Sequence, residues 1–170
     1  MLERTVGDVT ITRIIESERP DFDAAQFFPS ITPEQWAPYR QRLAGWALDP
    51  AVNGLVFPMQ SFLVRTRHHT IVVDTCVGDH KARARPNWNM TASGEYLKRL
   101  AEAGVRPEQV DYVLTTHFHT DHVGWNTRWE GNRIERCFRD VHAATQHGAL
   151  APRTLEQVGQ ARLGVDPRSR

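Results

Sequence analysis

At 170 residues, with 40% hydrophobic and 24% charged side chains, the chain is of single-domain size and long enough to bury a core. Its net charge of +1 gives no electrostatic case for nucleic acid or an anionic membrane surface as partner. No apolar run reaches the roughly 18 residues of a bilayer span. The N-terminus, Met1-Leu2-Glu3-Arg4, also lacks the basic start and apolar stretch of a leader, so cytoplasm is the expected compartment. Cys76 and Cys137 suit a reducing environment.

Residues 9–16 alternate and are β-branched, which predicts an opening strand. Residues 19–58 are rich in proline and aromatics without a sustained period. They read as a long loop with a short helix near 33–43, of the kind that covers a site. A hairpin follows: strand 61–65, a polar turn at 66–69, and strand 70–74, an apolar run closed by Asp74. A helix is expected over 93–103, with Ser93 as its cap, Gly104 after its end, and Leu97, Leu100 and Ala101 on its apolar face. Residues 110–116 form the next strand. From residue 128 onward there are eight arginines, no lysine and no convincing period, with 153–163 as the best helical candidate. The division expected is thus 1–127 as an α/β unit and 128–170 as an irregular arginine-rich tail, read as out of frame.

The chemistry gathers where strand 110–116 ends, in His117-Phe118-His119-Thr120-Asp121-His122. Histidines at i and i+2 in extended backbone point to one side, so His117 and His119 can share a metal. Asp121 and His122, on the turn that follows, can serve a second. Imidazole and carboxylate favour zinc, with manganese and iron as alternatives. Two such ions about 3.5–4 Å apart activate a bridging hydroxide, and Asp121 is placed to handle its proton. The ordinary alternative is a polar loop, but four ligand-capable residues at this spacing after a β-branched strand favour the metal.

This His-x-His-x-Asp-His run, preceded by Asp111-Tyr112-Val113-Leu114-Thr115-Thr116, resembles the metallo-β-lactamase superfamily motif. Val123-Gly124-Trp125-Asn126-Thr127 is similar to its lactonase-like and esterase-like branch. The stretch Val72-Val73-Asp74-Thr75-Cys76-Val77-Gly78 resembles the family's strand and turn that place an aspartate behind the metal loop. The resemblance spans residues 9–127 and implies the first half of an αββα sandwich, an α/β fold with a mixed sheet and flanking helices. It implies Zn2+, two per complete site, with His117 and His119 on one ion and Asp121 and His122 on the other. One or no zinc in this chain is the alternative. Asp74 is then either a carboxylate that orients the loop or a mere turn cap.

A complete family site needs a further histidine, a bridging aspartate and a last histidine. Downstream of the motif the histidines are His142 and His147; Asp140 and Asp166 are aspartates there, and all four read as tail residues. His68 and His69 read as a solvated turn, and Cys76 as a buried small residue. The position of His80 relative to the site is undecided. Phe27, Phe28, Trp36, Trp46 and Phe57 read as packing, with an acyl pocket as the alternative. The expected function is a zinc-dependent hydrolase of a lactone, ester or similar bond in a small-molecule substrate. The alternatives are an inactive remnant that keeps half of the metal site, and an iron-bound redox relative. An uncovered sheet face would favour self-association.

Overall fold

The computed structural model describes residues 2–131 and 133–138, and the strand backbones at Val141–Thr145 and Gly148–Ala149. The chain opens with β1 (Glu3–Val6) and β2 (Val9–Asp23), passes α1 (Ala24–Phe27) and α2 (Pro33–Leu43), and returns through β3 (Leu48–Asp49) and β4 (Gly54–Arg65). Then come β5 (Thr70–Val73), α3 (Glu95–Glu102), β6 (Tyr112–Thr115), the ribbon β7 (Thr127–Glu130) with β8 (Arg133–Arg136), β9 (Val141–Thr145) and β10 (Gly148–Ala149). The sheet order is β1-β2-β4-β5-β6-β9-β10, with β3 beside β4. β5, β6 and β9 run parallel and the other pairs antiparallel, so the α/β reading with a mixed sheet holds.

Two expectations are corrected. Residues 19–58 are not a long loop: β2 continues to Asp23 and pairs with β4 along its length. The prolines are absorbed at irregular points, since Pro20 lies in the register shift between Arg19 and Phe22. The helix within this stretch does form as expected. Thr32 and Gln35 close a capping box, and Pro33 sits at its first turn, where no N–H partner is needed. Nor is the chain after Thr127 without strands. β7 and β8 pair with each other, and β9 lies parallel to β6 with Leu114 opposite His142. These strands are short, and four or five residues carry too little alternation for period 2 to stand out.

Period-2 alternation divides the main sheet into two faces. Thr12, Ile14, Leu63, Val72 and Val113 are buried against α3 and Trp125. Phe62, Val64, Ile71, Val73 and Leu114 lie on the opposite face and stay partly exposed. α3 buries Tyr96 and Leu100, one turn apart, rather than Ala101. The helix begins at Glu95 because Gly94, in the left-handed region, is its cap. The Asp79 carboxylate holds Ser93 N–H and Gly94 N–H at 3.1 and 2.7 Å. Gly104 follows the helix end at φ +78°, a conformation that suits glycine.

Candidate metal centre

β6 delivers the chain to the sheet edge at Thr115, beyond which His117 and Phe118 continue without regular structure. A turn closes where His122 N–H donates to the His119 carbonyl at 3.0 Å. The rings converge: His117 and His119 centroids are 4.6 Å apart, and His117 and His122 are 3.9 Å apart. Asp121 Oδ2 lies 3.4 Å from His122 Nε2. All four motif residues are thus gathered at one edge of the sheet.

Asp74 stands behind them. It is buried, sits at φ +58° just past β5, and through Oδ1 accepts from Thr116 N–H at 2.8 Å and from Thr116 Oγ1 at 3.0 Å. Its other oxygen lies 2.8 Å from His122 Nδ1. One carboxylate therefore ties the start of the motif loop to its end, as the orienting reading of Asp74 requires. A carboxylate at Nδ1 favours the tautomer protonated there, which leaves the His122 Nε2 lone pair for a metal. Loss of hydration, then the neighbouring His122 and His119 imidazoles, hold His117 below the ordinary histidine pKa, in the neutral form that binds metal.

The loop is also clamped through its backbone. Thr75 N–H donates to the His122 carbonyl, Gly124 N–H to Cys76 and Trp125 N–H to Thr75, all within 2.9 Å. Thr75 Oγ1 adds a bond to Asn126 Oδ1 at 2.8 Å. The two segments approach so closely that a Cβ on Gly124 would lie 2.0 Å from the Val77 carbonyl carbon. Glu16 anchors the arrangement from β2: its carboxylate accepts from Val77 N–H, Gly78 N–H and Trp125 Nε1. Burial, above all, raises its pKa. Sequence reasoning passed over Glu16, though the signal was there: in the alternation of β2 it follows Thr12 and Ile14 on the inward face.

Cys76 is fully buried with Sγ 3.3 Å from Ser61 Oγ, and burial pushes its thiol well up, which suits a packing residue. His68 and His69 stay on the 66–69 turn, held by Thr66 Oγ1. The His80 carbonyl accepts from Trp129 Nε1. His142 is described only through its backbone in β9; Asp140, His147, Asp166 and the helix expected at 153–163 lie outside the described residues.

A cavity of about 620 Å³ opens beside the motif. Phe22, Phe27, Phe57, Met59 and Trp88 form its apolar wall, while Phe118, His119 and Asp121 border it from the metal loop. Arg85 lies at this wall, its guanidinium 4.4 Å from the Phe22 ring centroid. Of the five aromatics weighed from sequence, Phe27 and Phe57 line this cavity. Phe28 packs edge-on against Phe27, Trp36 lies beside Phe28 and Tyr39, and Trp46 is 69% exposed.

In kind, the donors fit zinc: neutral imidazoles and a carboxylate, one imidazole already held by a carboxylate behind it. Among the described residues, no three His, Cys, Asp or Glu side chains are grouped to hold one ion.

A family model of the metallo-beta-lactamase superfamily matches residues 55–164. The chain belongs to the metallo-beta-lactamase superfamily. Solved structures agree with the family fold. A hydrolase of the beta lactamase superfamily, AbOPH, is 25% identical and superposes with a TM-score of 0.60 over 83% of this chain and 42% of its own. A probable metal-dependent hydrolase from Staphylococcus aureus is 19% identical, with a TM-score of 0.60 over 82% of this chain and 47% of its own. AidC, a dizinc quorum-quenching lactonase, is 17% identical, with a TM-score of 0.59 over 84% of this chain and 43% of its own. The chain thus spans less than half the length of each of these proteins. No curated protein matches it. The superfamily resemblance read from the His-x-His-x-Asp-His run holds, and the match continues past Thr127.

Proposed function

We propose that this metallo-beta-lactamase chain is a zinc-dependent hydrolase of a lactone, ester or similar bond in a small molecule. The observation that carries the reading is the Asp74 carboxylate bonded at once to Thr116 and to His122 Nδ1, which fixes the motif with His122 Nε2 beside Asp121. A dizinc lactonase among the solved structures of the same fold supports the choice of metal and bond.

In this reading His117 and His119 hold one zinc, and Asp121 and His122 the other. Zinc bound there would supply Lewis acidity and lower the pKa of water at the site. His117 serves as a neutral ligand because its protonated form is disfavoured. Asp74 keeps the His122 ring in one orientation and one tautomer. Asp121, at the edge of the cavity, receives a proton from the attacking water or passes one to the leaving oxygen. The aromatic wall excludes water from one side of the site.

The alternative reading is an inactive chain that keeps half of a metal site. Dialysis against trace zinc followed by elemental mass spectrometry, paired with lactone and aryl ester hydrolysis, separates the two. About two zincs per chain with turnover is the result expected of the hydrolase. Zinc without turnover, or none retained, would replace it with the inactive reading.

A further inference from the structure

We propose that Arg85 is a specificity residue that selects substrates whose apolar arm ends in a carboxylate. Placed on the substrate, the inference rests on the hydrolase reading above; the binding preference itself does not.

Arg85 shares its cavity with His119 and Asp121 of the metal loop, so a molecule reacting there has its other end within the aromatic wall. The guanidinium lies over that wall, 4.4 Å from the Phe22 ring centroid and 5.3 Å from that of Trp88. Contact with two rings set nearly at right angles holds the cation at the cavity wall, where its N–H groups can donate to a ligand. Other arginines of the chain have carboxylates close by: Arg13 meets Glu18 at 3.3 Å, and Arg99 meets Glu95 at 3.4 Å. Among the described residues no such carboxylate pairs with Arg85, and it is the one lysine or arginine lining this cavity. An aryl or alkyl arm covers the rings equally well whether it is neutral or charged. Only a carboxylate also meets the guanidinium fork in a charge-assisted, bidentate contact, beside apolar surface where that contact is strengthened.

The test is a titration of the metal-free chain with phenylpropionate and with its neutral counterpart phenylpropanol, followed by the Trp88 indole N–H resonance, assigned with Trp88→Phe. Omitting metal removes the other cation that could attract a carboxylate. Phenylpropionate is expected to bind at least about tenfold more tightly than phenylpropanol, as a charged hydrogen bond would give. Arg85→Met should abolish the preference while phenylpropanol binding persists, and Arg85→Lys should leave a reduced one. Equal affinities in the parent chain, a preference that survives Arg85→Met, loss of both ligands in that variant, or a Trp88 signal that moves with neither would each overturn the proposal. A chain that shows the preference yet neither retains zinc nor turns over esters would refute the hydrolase reading alone.

Discussion

Asp74 and Glu16 show how much of this site is held by carboxylates that are not motif residues. Asp74 occupies the left-handed region, which asparagine also tolerates, so Asp74→Asn removes the charge and leaves the turn. Zinc affinity, measured by competition with a chelator, should fall about 10- to 100-fold, the usual effect of losing a partner behind a ligand histidine. Far-ultraviolet circular dichroism should be unchanged. Glu16 offers a separate check. Burial, ahead of the Asp79 charge, raises its pKa despite its three donors, so folding favours the protonated form. That contribution to stability is complete below the pKa of the unfolded chain and is lost as pH rises through the higher folded value. Thermal midpoints compared over roughly pH 4 to 8 should therefore fall across this window more steeply in the parent chain than in Glu16→Gln. Parallel curves would mean that Glu16 is not perturbed.

The elements matter here through where they end. β5 and β6 are parallel neighbours whose ends lie side by side, with Val73 opposite Leu114, so the loops beyond them meet. That contact is the close passage of Val77 and Gly78 against Gly124. Alanine at residue 124 cannot be accommodated without separating the two backbones, because the obstructing atoms are the main-chain carbonyl of Val77 and the amide nitrogen of Gly78. Gly124→Ala should cost about 3 kcal/mol in urea unfolding, at the upper end for overpacking. Zinc binding should weaken with it, since the displaced segment carries His122. A midpoint within error of the parent chain would contradict this packing.

At the scale of the whole molecule, the main sheet buries one face under α3 and leaves Phe62, Val64, Ile71, Val73 and Leu114 partly exposed on the other. These residues are adjacent across β4, β5 and β6, with Val64 opposite Ile71 and Phe62 opposite Val73. We propose that this face drives self-association of the chain, as burial of contiguous apolar surface would. Sedimentation equilibrium should report a mass that rises with protein concentration, and Phe62→Glu should return it towards 19.4 kDa. A concentration-independent monomer in the parent chain would end the idea. No helix among the described residues is long and apolar enough to cross a membrane.

The parts legible before folding are those in which neighbouring residues report on one another. The His-x-His-x-Asp-His run, the β-branched strand before it, the 66–69 turn and the short helix near 33–43 are local patterns, and a few adjacent residues suffice to read them. The sequence also carried enough of the family pattern to name the superfamily. It could not show that β2 pairs with β4 through Asp23, because proline-rich segments look like loops until a partner strand supplies the register. The same holds for β7, β8 and β9, each too short to display a period. The support of the site was decided only in three dimensions. Asp74 reaches His122 across 48 residues and Glu16 reaches Trp125 across 109. The cavity joins Phe22 and Phe57 to Asp121. Ligand types are a matter of local chemistry, whereas the orientation of those ligands and the shape of the space beside them depend on which distant segments the sheet brings together.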